Sequence, residues 1–141
     1  MPELPHWERG TPAVLCAAGP HAIPVSTAVR AGRGRVLLAL GGRREMLRRL
    51  RAEPAAALCV LGRGVAFTAY GRARVAREGL DSAPDVVAVE LRVERVQDHL
   101  ADGRTQILDG ARWRWTDDRL AESEPRIVDE LEALGAGAGD A

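Results

Sequence analysis

Residues 21–60 read HAIPVSTAVRAGRGRVLLALGGRREMLRRLRAEPAAALCV, and their periodicity decides the architecture. Over 22–30 Ile23, Val25, Thr27 and Val29 recur at every second position, as on the buried face of a strand. Pro24 has no backbone N–H to give to a neighbour, so it marks an edge or a bulge, and a bulge is the expectation. The AGRG turn at 31–34 returns the chain into an apolar strand, 35–40, which Gly41 and Gly42 close. The period then changes. Met46, Leu47 and Leu50 fall at helical spacing within 43–52, arginines take the other faces, and Pro54 prevents continuation. Extended structure resumes over 55–61. The links between the early strands are too short for the crossovers that parallel neighbours need, so these strands pair antiparallel.

Working outward, residues 13–18 form an apolar run that Gly19 and Pro20 close, making a hairpin with 22–30. Residues 1–10 lack periodicity and read as an arm. On the other side, the turn at 62–64 leads into an alternating strand over 65–76, which Gly71 can bend, and 86–96 alternates again. Ser123 is a fair helix cap with Pro125 in the first turn, and Ile127, Val128, Leu131 and Leu134 follow at helical spacing. This predicts a C-terminal helix docked on the barrel. Residues 135–141, rich in Gly and Ala, read as a flexible tail. The fold expected is mainly β: a six-stranded antiparallel split β-barrel over 11–134, with one short inserted helix and a C-terminal helix.

With 141 residues the chain suits one domain. The formal net charge is zero, and this argues against nucleic acid as a partner. Charge is nonetheless segregated: residues 29–51 hold eight Arg against Glu45 alone, so a local anion site is open. There is no Lys, which removes Schiff-base chemistry. Cys16 and Cys59 lack the spacing of a zinc or redox site and read as buried thiols. His6, His21 and His99 are too scattered to suggest a metal centre. No apolar run approaches the roughly 20 residues that span a bilayer, and a cytoplasmic location is expected. No nucleophile elbow, dinucleotide fingerprint or carboxylate pair stands out, so no catalytic residue is assigned.

The order of elements resembles that of the pyridoxamine 5'-phosphate oxidase-like proteins, a split-barrel flavin-binding superfamily. Its Gly-x-Pro-His element, apolar strand, short basic helix and strand-opening Pro are matched by Gly19, Pro20 and His21, by 35–40, by 43–52 and by Pro54. VAFTAYGRARV, 65–75, is similar to the family's Gly-centred strand, and WRWTDDRLAESEP, 113–125, resembles tails of actinobacterial members. The resemblance implies a homodimer with two cofactor sites at its interface. It implies FMN or, in a subgroup, a deazaflavin coenzyme, with haem in a few relatives. The isoalloxazine would lie along Ser26, Thr27 and Ala28, and the phosphate near Arg43 and Arg44 at the helix start, where free N–H groups and guanidinium both favour anions. Met46 and Arg49 stand where many members have Lys and Asn.

Each of these residues also has a plainer reading. Arg43 and Arg44 could be solvated charges, and Ser26 and Thr27 ordinary strand residues. Tyr70 could touch a ligand or bridge core and solvent. Trp113 and Trp115 could roof a ligand cleft or pack across a dimer, and the interface is the expectation. The function that follows from the resemblance is hydride transfer between a flavin-type cofactor and a small substrate at a dimer interface. The alternative is a non-enzymatic split barrel that stores or senses haem or flavin, or one that has lost its cofactor.

Overall fold

The structure, a computed structural model, describes residues 2–138. Its strands are β1 (Ala13–Ala17), β2 (His21–Val25), β3 (Val29–Arg30), β4 (Arg35–Gly41), β5 (Ala55–Gly62), β6 (Val65–Arg77) and β7 (Val86–Asp98). They form one antiparallel sheet in the order β2-β1-β5-β6-β7-β4-β3. Helix α1 (Glu45–Ala52) follows β4, and α2 (Asp118–Ala138) ends the described chain. The chain is therefore mainly β, as expected, with seven strands where the alternation predicts six.

The extra strand arises because 22–30 is not continuous. β2 pairs with β1 and β3 with β4, so consecutive segments lie on opposite edges of the sheet. Flat, a seven-stranded sheet would hold its edges about 29 Å apart, at roughly 4.8 Å per strand interval. The three residues 26–28 let the chain reach only about 14 Å from Val25 to Val29. The sheet must curl until its edges nearly meet, and that is the split barrel. Pro24 accordingly lies on an edge strand, not in a bulge: the β1–β2 register runs unbroken from Ala13↔Val25 to Ala17↔His21. The register shifts fall between β6 and β7, at Tyr70/Gly71 and Val75/Arg77. At Gly71 a Cβ would stand 1.9 Å from the Arg92 carbonyl oxygen, so only glycine permits this approach.

Two apolar clusters build the core. Leu15, Ile23, Val36, Leu38, Leu40, Leu58, Phe67, Val89 and Leu91 fill the barrel, and Met46, Leu47 and Leu50 of α1 pack into the same cluster. On the outer side, Leu37 and Ala88 meet Val128 and Leu131 of α2. β4 and β7 are thus buried on both faces, which accounts for runs such as VLLAL that do not alternate.

α2 starts earlier than Ser123. Asp117 is the cap, its Oδ1 accepting from the Arg119 N–H at 2.9 Å. Pro125 lies inside the helix rather than in its first turn. The helix continues through Ala138, and Gly135 fits where a Cβ would come within 2.9 Å of the Ala31 Cβ. Residues 139–141 of the expected tail lie outside the described residues. At the other end, Leu4 is buried in the barrel cluster and Trp7 packs on Phe67 with ring centroids 5.5 Å apart. No described helix is long and apolar enough to cross a membrane.

Candidate functional site

At the seam where the two sheet edges meet there is a cleft of about 270 Å³. Ser26 and Thr27 line it from the 26–28 link, Ala39 and Gly41 from β4, and Arg44 from the start of α1. Trp115, Leu120, Ser123, Glu124 and Ile127 form its other wall. Gly41 and Arg44 also border a second, larger opening of about 870 Å³, shared with Arg43, Arg51, Glu78 and Asp85.

The link residues are held by side chains because they pair with neither strand edge. The Ala39 N–H donates to Thr27 Oγ1 at 3.0 Å. Ser26 Oγ donates to Glu124 Oε1 at 2.7 Å. Trp7 Nε1 donates to the Ala28 carbonyl at 3.0 Å, while the Ala28 side chain is buried in the barrel core. Of the three residues predicted for the ring, Ser26 and Thr27 border the cleft and the Ala28 side chain does not.

Arg44 caps α1 with extended backbone (φ −68°, ψ 143°) and makes no side-chain capping bond. Arg43 and Arg44 are exposed, and neither guanidinium forms an ion pair or hydrogen bond among the described residues. The other helix arginines are engaged. Arg49 Nε donates to Glu45 Oε2 at 2.7 Å, and Arg51 Nη2 to Glu78 Oε1 at 2.8 Å. The Arg49 hydrogen bond and charge, with smaller help from His21 and Arg48, hold the Glu45 carboxyl below the usual range. The carboxylate nearest the helix start is thereby matched by cations, leaving Arg43 and Arg44 without an acidic partner.

Tyr70 lies elsewhere, on the outer face of the sheet, with the Arg95 guanidinium 4.0 Å from its ring centroid and its hydroxyl 3.4 Å from Gln97 Oε1. The tryptophans divide. Trp115 borders the cleft, while Trp113 donates from Nε1 to the Gly10 carbonyl at 2.8 Å and meets Trp115 edge-on at 5.7 Å. Glu124, Ser123, Leu120 and Ile127 are cleft residues that sequence reasoning missed. Only Leu120 falls before the expected helix start, where Asp117 ahead of the Leu120, Ile127 and Leu131 spacing carries the signal. Ser123, Glu124 and Ile127 lie within the expected helix, and their place at the cleft is set by a contact 98 residues away, Glu124 with Ser26.

No His, Cys, Met or Tyr borders the cleft, so it offers none of the usual axial ligands for haem iron. Among the described residues no three His, Cys, Asp or Glu side chains gather as a metal cluster. Apolar walls, three hydroxyls, one carboxylate and one guanidinium suit a planar organic ring with an anionic extension.

No protein-family model matches the sequence, and no curated protein does either. Solved structures do. A candidate pyridoxamine 5'-phosphate oxidase from Listeria innocua aligns at TM-score 0.53 and 16% identity, covering 63% of this chain and 88% of that one. An F420 reductase aligns at TM-score 0.53 and 15% identity, over 64% and 91% of the two chains. A heme binding protein from Mycobacterium smegmatis aligns at TM-score 0.53 and 20% identity, over 70% of this chain and 53% of that one. At such identities the likeness is one of fold. The chain has the split-barrel fold of the pyridoxamine 5'-phosphate oxidase-like proteins.

Proposed function

We propose that this protein binds a flavin-type cofactor, FMN or a deazaflavin, at the seam cleft and, as a homodimer, transfers hydride between that cofactor and a small substrate. The observation that carries this reading is that Ser26, Thr27, Arg44 and Trp115, widely separated in sequence, border one cleft. The ring occupies the 270 Å³ slot between the Ser26–Thr27 link and Trp115, and the phosphate lies beyond Arg44, in the larger opening beside Arg43. Unpaired guanidiniums at an uncapped helix start supply charge and donors for that phosphate. Hydride chemistry belongs to the cofactor, while Ser26, Thr27 and Trp115 orient it and limit access of water. The absence of a haem ligand among the cleft residues favours this reading over haem storage.

The dimer is supported by the outer face of β2, β1 and β5. Ala22, Pro24, Val14, Cys16, Ala55, Ala57, Cys59 and Leu61 point outward there, none of them charged, and Val14 and Leu61 are 40% and 50% exposed. Monomers rarely leave such a face open to water. Pro24 also borders the cleft, so a second copy on this face abuts the site.

The test is equilibrium titration of the purified protein with FMN, a deazaflavin and haem, with sedimentation to measure mass. A flavin-type ligand is expected to bind a dimer. Replacing both Arg43 and Arg44 by Ala is expected to weaken binding at least about tenfold, on the scale of one charge-assisted hydrogen bond. Unchanged affinity in that double variant overturns the proposed site.

A further inference from the structure

The geometry points to Glu124 as the specificity-determining residue of the cleft, selecting a ring whose edge presents an N–H donor. This rests on the flavin-type reading. Glu124 reaches the cleft from α2, and only one of its oxygens is engaged: Oε1 accepts from Ser26 Oγ at 2.7 Å. Oε2 accepts no hydrogen bond among the described residues, and no ion pair joins Glu124 to Arg44 although both border the cleft. The half-buried carboxylate is therefore fixed in position by Ser26 and, on a residue that borders the cleft, keeps one oxygen that accepts no hydrogen bond among the described residues. A carboxylate has no proton to donate, so it rewards a ligand N–H and repels a carbonyl or a deprotonated edge. Flavins and deazaflavins both carry an imide N–H between two carbonyls, so this selection holds whichever of them binds. Arg44 serves the opposite need, attracting the anionic extension.

α2 can hold Glu124 there because it is anchored on the far side. Val128 and Leu131 are buried against β4 and β7, and the Asp81 and Ser82 N–H groups both donate to Glu130 at 2.8 Å. Arg9 Nη2 donates to the Pro125 carbonyl at 2.7 Å, one residue beyond Glu124.

The experiment compares each parent cofactor, FMN and deazaflavin, with its derivative methylated on the imide nitrogen, in wild type, Glu124→Gln and Glu124→Ala. In wild type, methylation is expected to weaken binding about tenfold or more, as loss of a hydrogen bond to a charged group does. In Glu124→Ala the parent is expected to weaken and the parent-to-methyl ratio to fall to about threefold or less. Glu124→Gln keeps an uncharged acceptor and should lie between them. A ratio in Glu124→Ala equal to that of wild type overturns the inference while leaving the flavin site standing. Failure of both parents to bind wild type overturns the inference and the flavin-type reading together.

Discussion

Replacing Glu90 by Gln tests the buried ion cluster that ties three strands together. Glu90 is only 3% exposed, in the middle of β7, and Arg35 of β4 is 7% exposed beside it. Arg35 Nε donates to Glu90 Oε2 at 3.0 Å, and Arg74 Nε, from β6, donates to Oε1 at 3.0 Å. The Arg74 side chain is 63% exposed, so its share is screened and worth at most about 1 kcal/mol. The Arg35 pair is buried, and removing one partner of such a pair costs about 3 kcal/mol or more. Taking about 3 kcal/mol and a urea slope of about 2 kcal/mol/M, the midpoint should fall by about 1.5 M at pH 7. Burial pushes the Glu90 carboxyl up, but the Arg74 hydrogen bond and charge, followed by those of Arg35, outweigh it and hold it below the ordinary value. The folded value is thus lower than the unfolded one. The stabilisation is fully present above the unfolded carboxylate pKa, about 4.3, and is lost as pH falls through the folded value. The gap between wild type and variant should therefore narrow on acidification. A midpoint shift equivalent to less than about 1 kcal/mol at pH 7, or a gap that persists undiminished in acid, refutes the reasoning.

Two further outcomes follow from the geometry. Gly71→Ala puts a Cβ 1.9 Å from the Arg92 carbonyl oxygen, so the β6–β7 ladder must shift; a loss of about 3 kcal/mol is expected in thermal or urea unfolding. Glu130→Ala removes the acceptor for the Asp81 and Ser82 N–H groups and the Ser82 hydroxyl, so amides of 78–85 should exchange about tenfold faster. Burial raises the Glu130 carboxyl, but the Ser82 and Asp81 bonds and the Arg77 charge bring it below the usual value. Its hold on that loop is therefore present above the unfolded carboxylate pKa and fades as pH drops through the folded one.

Strand existence is legible because the two apolar periods are local properties. Residues 35–40, 55–61, 65–76 and 86–96 each map onto one observed strand. What the sequence hides is anything set by a distant partner. Ile23, Val25 and Val29 share one buried character, so 22–30 reads as a continuous strand; only the pairing with β1 on one side and β4 on the other divides it. Glu90 reads as the polar face of an alternating strand, and only its pairing with Arg35 of β4 and Arg74 of β6 lets that face be buried. The preference of proline for the first turn of a helix misleads at Pro125, because a helix already anchored by Val128, Leu131 and Glu130 tolerates one missing N–H in its exposed first half. The candidate site is legible in part: Ser26, Thr27, Arg44 and Trp115 border the cleft, while Glu124 joins it only through its contact with Ser26, 98 residues away, which no local pattern announces.

The location of the cleft follows from the split itself. A sheet edge leaves N–H and C=O groups unpaired, and here both edges come together at a three-residue link that belongs to neither. Those groups must be met by side chains, by water or by a ligand. Thr27 takes the Ala39 N–H, Trp7 takes the Ala28 carbonyl, and Ser26 is turned outward to Glu124. Short hydroxyl side chains suit this place because they can satisfy the backbone without filling the gap. A long apolar side chain at Ser26 would close the slot against Trp115 and Leu120, whereas Ala would leave the slot open and Glu124 unanchored. The seam thus has a structural requirement and a ligand-sized space at the same residues, and the polar groups required by the first are those available to the second.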